Sequence, residues 1–223
     1  MIKSGRPPKG KELLSRDRIL DSGLKLFLEH GYGNLNMEMI AKDAHVSMRT
    51  IYSYFEGKSG LFGAVIKRCS DQFVDSLSEH IDTEKALITF GKEFIYRVTR
   101  PDAVRIRTIL IGESLRFPDL ATQFYAQGPQ LTLDKLAEFF QKKQQQGYFT
   151  NLDTNRLANH FFSCLRSECF HKLQLGLEPT PNEAEVDVWV NEAVNFFLYG
   201  YTAATLGTST EGDFIQPIGE AIL

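Results

Sequence analysis

The chain has 223 residues, 43% of them hydrophobic and 24% charged, and a formal net charge of −3. This is an ordinary globular composition, with room for one large domain or a small one joined to a larger one. It offers no apolar run of about 18 residues for a membrane span, no signal peptide behind its basic N-terminus, and no CxxC spacing among Cys69, Cys164 and Cys169. A reducing compartment, by default the cytoplasm, is therefore expected, with no membrane partner.

Charge is unevenly spread. Residues 1–68 hold 12 Lys/Arg against 7 Asp/Glu, and residues 69–223 hold 13 against 21. A basic head on an acidic body suits a polyanionic partner, of which phosphate backbones are the commonest, although a solvated surface can carry the same asymmetry. The head opens with "MIKSGRPPKGKELL", residues 1–14. Gly5, Pro7, Pro8 and Gly10 oppose a helix until about Glu12, which predicts a flexible basic arm. Such an arm can be a plain solubilising terminus, or it can lay Arg6 into a minor groove.

From Ser15 the pattern is helical, with Ile19, Leu20, Gly23, Leu24, Phe27 and Leu28 on one face and Gly31 placed as a left-handed cap. Asn36 is suited to cap a short helix, "MEMIAKDA", that buries Met39 or Ile40, Ala41 and Ala44. His45-Val46 makes a tight turn, and Ser47 caps a third helix over 47–55. In that helix Ile51 and Phe55 lie four apart on one face, leaving Met48, Arg49 and Tyr52 on the other. Two short helices behind a long amphipathic one match a helix-turn-helix arrangement. A recognition helix reads base edges with its N-terminal residues, so Met48, Arg49, Thr50 and Tyr52 are the expected readers of double-stranded DNA. Arg49 is able to pair with guanine O6/N7. Hydroxyls on Thr50 and Tyr54 suit phosphate oxygens, and Lys58 adds charge at the next helix's N-terminus.

Beyond "EGKSG" a long helix is expected from about Lys58 to Ile81, then others near 84–99, 102–116, 118–146, 153–176 and 182–205. Pro101, Phe117-Pro118, Gly147 and "GLEPTPNE" mark the breaks, and Gly128-Pro129 should kink or split the fourth. Strand-like alternation and internal repeats are absent from the sequence, and residues 207–223 read as a loose tail. The predicted fold is all-α: a three-helix DNA-binding domain at 15–60 and a larger helical domain at 61–206.

The stretch "RILDSGLKLFLEHGYGNLNMEMIAKDAHVSMRTIYSYFEGKSGLF" resembles the DNA-binding head of the TetR (tetracycline-repressor-like) transcriptional regulators. The carrying features are Phe-x-x-x-Gly-Tyr at the end of helix one, Ile40-Ala41, Val46-Ser47, and "IYSYF" leading to "KSGLF". The resemblance implies a homodimeric all-helical regulator whose C-terminal domain senses a small-molecule effector. It implies base reading by Met48, Arg49, Thr50 and Tyr52, phosphate contacts by Tyr54 and Lys58, and Asn36 and Met37 near the backbone, with Ser47 also among the DNA-binding residues. His45 stands where the family usually has Gly, and Asn36 replaces the usual Thr cap.

In the acidic half, "LIGESLRFPDLATQFYAQGP" resembles one branch of that family. Phe90, Phe94, Ile109, Glu113, Phe124, Phe161 and Cys164 fall on helices that line the family's central cavity. Each aromatic among them also reads as ordinary core. Glu113, a carboxylate in the apolar run "ILIGESL", calls for either an arginine neighbour such as Arg105 or Arg116 or a polar ligand group. The last two helices carry Phe162, Leu165, Trp189, Ala193, Phe196, Phe197 and Gly200, an apolar set that suits burial against a second copy. His160 and Cys164 sit four apart without a carboxylate cluster, HExxH, GxSxG or Gly-rich phosphate loop, so no catalysis, metal or cofactor is expected. The alternative reading is a helical binding module that does not read DNA sequence.

Overall fold

The computed structural model describes residues 9–74, 77, 82–149 and 152–206; Arg6, most of the arm and the tail 207–223 lie outside them. The described residues form helices α1 (Lys9–Asn34), α2 (Met37–Asp43), α3 (Met48–Tyr54), α4 (Gly57–Val74), α5 (Thr83–Val98), α6 (Pro101–Glu113) and α7 (Pro118–Tyr125). A π-helical turn (Ala126–Gln130) follows, then α8 (Leu131–Gln145), α9 (Thr154–Leu165), α10 (Glu168–Gln174) and α11 (Glu183–Leu206), with no strand among the described residues.

Helix α1 begins at Lys9, earlier than the expected start near Glu12. At Gly31 its backbone turns to φ 74° and ψ 171°, a conformation open to glycine, so the expected end is instead a kink followed by a last turn to Asn34. Asn36 caps α2 by accepting from Met39 N at 2.9 Å, and Ser47 caps α3 by accepting from Thr50 N at 3.1 Å. Between them His45 takes φ 54°, the left-handed geometry that the turn demands.

Two long predicted helices are divided. The 118–146 segment breaks into α7, the π-helical turn and α8. Pro129 has no N–H and its ring crowds the preceding turn, which widens to accommodate it. Gly128 lies buried there, where an added Cβ would come within 3.3 Å of Ile66 Cγ2 on α4. The 153–176 segment breaks at Arg166 (φ −101°, ψ 54°), which leaves the helical region and starts α10 in a new direction.

Burial separates into two cores. The first gathers Ile19, Leu20, Phe27, Ile40, Ile51, Leu61 and Phe62 from α1–α4, but also Ile106 and Leu110 of α6 and Leu120 of α7. The second packs α5, α8, α9 and α11 around phenylalanines, with Phe161 5.2 Å from Phe197, 6.1 Å from Phe90 and 6.4 Å from Phe140. At Gly91 the chains come so close that an added Cβ would sit 2.6 Å from Val190 Cγ1.

Candidate functional site

Helix α3 is anchored by a single fully buried side chain, Ile51, with Phe55 following it into the core. That fixes the helix's rotation and leaves Arg49, Tyr52 and Ser53 exposed. Thr50 and Ser47 share a hydroxyl hydrogen bond at 2.8 Å, and the Ser53 hydroxyl donates to Thr50 O at 2.7 Å. The predicted readers are not all equally presented. Met48 and Tyr54 lean on the head's core, and Met37, expected near a DNA backbone, has a buried side chain. Met37 opens α2, and Met48 and Tyr54 open and close α3, where their apolar surface is drawn into the head's core.

Lys58 is also turned inward. Its ammonium donates to Tyr32 O at 2.6 Å and Leu35 O at 2.9 Å and stands 4.3 Å from the Tyr32 ring centroid, so in this structure it serves carbonyls in the last turn of α1 and just beyond it. Burial lowers its pKa, with Glu113 acting in the opposite sense. Among the described residues Glu113 pairs with neither predicted arginine, and it is not part of the wall of the cavity described below. Its Oε2 accepts from Gly33 N at 3.0 Å, which ties the end of α6 to the end of α1. Phe117 closes this junction with its ring 5.2 Å from Tyr32.

A cavity of about 440 Å³ opens between α1, α4, α5, α6, α7, the π-helical turn and α9. Phe94 and Phe124 line it. Phe90 and Phe161 are fully buried behind the wall, and Ile109 faces the packed ring cluster of Phe27, Tyr32 and Phe62. Phe162, expected at a dimer interface, lines the cavity instead, while Cys164 belongs to a different face. Two residues advance a helix by roughly 200°, so Phe162 and Cys164 look opposite ways. The sequence reading missed the cavity's basic groups, Arg68, Arg97, Arg100, Arg107 and Arg166. The signal was present: Arg107 falls in the apolar row Ala103, Ile106, Leu110, beside residues that must face inward.

The last helices present a separate surface. A groove of about 990 Å³ runs along α9, α10 and α11, lined by Cys164, Val188, Trp189, Ala193 and Phe196 among others. Phe196 is 75% and Tyr199 74% exposed, and Gly200 is exposed beside them. Leu165 and Phe197, predicted for this surface, point into the chain's own core, and Ala193 is nearly covered at the foot of the groove. The Trp189 Nε1 is buried without an acceptor among the described residues. Burial pushes the Cys164 thiol pKa up, which disfavours an activated thiolate. Among the described residues no group of three His, Cys, Asp or Glu side chains is placed to hold a metal, and no helix is long and apolar enough to cross a membrane.

Residues 19–65 match the family described as bacterial regulatory proteins, tetR family, and residues 85–203 match the AefR-like transcriptional repressor C-terminal domain. The HTH-type transcriptional regulator YvkB of Bacillus subtilis is 26% identical over 161 residues, 71% of this chain and 83% of that protein. The HTH-type transcriptional repressor ComR of Escherichia coli is 36% identical over 69 residues. The match spans 31% of ComR's length and 46% of that of IcaR, a negative regulator from Staphylococcus epidermidis. Among solved structures, a TetR-family regulator from Mesorhizobium loti aligns with TM-score 0.72 and 25% identity, covering 85% of this chain and 98% of that one. The flavonoid-responsive regulator FrrA aligns with TM-score 0.67 and 30% identity, covering 83% and 96%.

Proposed function

The chain belongs to the TetR family of transcriptional regulators, and from that premise we propose that it is a homodimeric repressor that reads a palindromic operator with α3 and is released when a small molecule fills the cavity. The observation that carries the reading is the rotation of α3: Ile51 is fully buried while Arg49, Tyr52 and Ser53 are exposed, on a head with excess positive charge. One exposed short helix covers few base pairs, so two copies reading half-sites one helical turn or a multiple apart supply the remainder. The exposed Phe196 and Tyr199 of α11 support pairing through that face, which a second copy would cover.

Helix α6 supports the link between cavity and head. Its Ala103, Ile106 and Arg107 line the cavity, and its last residue, Glu113, holds the Gly33 N–H of α1. A ligand that displaces α6 therefore pulls on the helix that carries the reading unit. Coupling of this kind is reciprocal, so operator weakens effector binding by the factor that effector weakens operator binding. FrrA, similar over most of both chains, is by name responsive to a flavonoid, which agrees with a small-molecule input.

Selection from a random duplex library at two salt concentrations tests the reading. An enriched palindrome whose affinity falls steeply with salt, and falls further with Arg49→Ala, is the expected result. A pool without an enriched site, or an R49A variant of unchanged affinity and salt slope, would overturn it.

A further inference from the structure

Charge is not balanced on the cavity wall. Arg68 is 2.8 Å from Asp21, Arg100 is 3.2 Å from Asp102, and Arg97 is 3.5 Å from Glu93 on its own helix. These pairs use both carboxylates that line the cavity, Asp21 and Asp102. Arg107 and Arg166 remain, and among the described residues neither guanidinium is paired with a carboxylate.

What surrounds these two groups holds them in place without neutralising them. Both pack on Phe170 of α10, Arg107 at 4.5 Å and Arg166 at 5.4 Å from the ring centroid. Arg166 also lies over Phe162 at 5.5 Å. The Gln174 amide, with its oxygen toward Arg107, accepts from Nη1 at 2.6 Å. The Arg107 neighbourhood is thus a neutral amide, an aromatic ring and a second cation. Burial, with Arg166 adding repulsion, pushes the Arg107 pKa down to about 10. A guanidinium partly removed from water without an anion is costly, and the group is shaped to grip a planar oxyanion. The rest of the wall supplies the opposite chemistry, with Phe94, Ile106 and Phe124 on the apolar side.

We propose that this cavity takes an amphipathic organic anion, with its carboxylate or comparable oxyanion on Arg107 and Arg166 and its aromatic or aliphatic body against Phe94, Ile106, Phe124 and Phe162. The assignment rests on the cavity being the effector site of the proposed regulator, and it names the chemical class of that effector. It also gives Arg107 a mechanical role, because a ligand bound there acts on α6 about two turns before Glu113.

The test uses the full-length chain and two fluorescent probes that share one body: 1-anilinonaphthalene-8-sulfonate, an anion, and N-phenyl-1-naphthylamine, which lacks the sulfonate. The wild type should bind the anion about tenfold or more tightly than the neutral probe. Arg107→Gln and Arg166→Gln should each shrink that ratio, Arg107→Gln to near unity, and Arg107→Lys should restore part of it. Ala103→Trp, which fills the cavity, should block both probes. Helicity by circular dichroism checks each fold, and the exposed Arg166 supplies a second variant should Arg107→Gln misfold. If A103W blocks both probes but the ratio is the same in wild type and both Gln variants, the anion site is refuted while the cavity reading stands. Probe binding that A103W leaves untouched, or no binding at all, removes the effector cavity and the anion site together.

Discussion

On α3 the side chains that meet solvent, Arg49, Tyr52 and Ser53, are near neighbours in sequence, and one buried residue, Ile51, decides where they point. The cavity is assembled differently: Asp21 comes from α1, Arg68 from α4, Phe94 from α5, Arg107 from α6, Phe124 from α7 and Phe162 from α9. The head's surface is therefore a local property, readable from one helical period. The body's site exists only after distant helices have packed, so a substitution on any of several helices can reshape it. The two regions are nonetheless one object in packing, since Ile106, Leu110 and Leu120 complete the core beneath the head.

The largest expected effect tests that last point. Ile40→Ala removes a fully buried head side chain and should cost about 2–5 kcal/mol. The chain's single tryptophan, Trp189, lies in the body, so urea unfolding followed by its fluorescence should report the head's loss as a lowered midpoint. A midpoint that stays put while helicity melts in two steps would separate the two regions.

Arg49→Ala and Gly91→Ala sharpen the contrast between a solvent-facing surface, proposed to read DNA, and a core that packs. The first should weaken operator binding by about 1–3 kcal/mol with the melting temperature nearly unchanged. The second should cost about 1–3 kcal/mol of stability, because its methyl meets the stiff, branched Val190. Equal melting temperatures for G91A and wild type would mean that α5 and α11 slide apart without penalty.

Glu113→Ala cuts the link between the regions. Loss of the carboxylate that accepts from Gly33 N should cost about 1 kcal/mol of stability and reduce the shift that an effector causes in operator affinity. Titration of operator with and without effector checks it, and an undiminished shift would place the coupling elsewhere.

The smallest effect belongs to the exposed pair Lys25–Asp43, 2.7 Å apart. The hydrogen bond from Lys25 is the main cause of Asp43's lowered pKa, followed by one from Ser22. A carboxylate whose folded pKa is depressed contributes its stability above the usual carboxylate range and loses it as pH falls through the folded value. Melting curves of wild type and Asp43→Asn should differ slightly near neutral pH and converge in acid; a difference that persists in acid would assign the effect to packing.

The sequence by itself determined the helical class, the caps at Asn36 and Ser47, the turn at His45, the burial of Ile51 and the interruption at Gly128-Pro129. Each follows from interactions within a few residues, where capping, period and φ preference act directly. It also placed Phe94 and Phe124 on helices that meet the cavity, but could not tell them from Phe90 and Phe161, which carry the same residue type at the same period and point into core. Only the tertiary structure turned Lys58 onto the carbonyls of Tyr32 and Leu35, gave Glu113 to Gly33 rather than to an arginine, and moved Phe162 from the expected dimer face into the cavity. It alone brought Arg107 and Arg166 together on Phe170. The reason is the same in each case: the partner lies far away in sequence, and which partner a side chain meets is fixed by how whole helices pack rather than by its own neighbours.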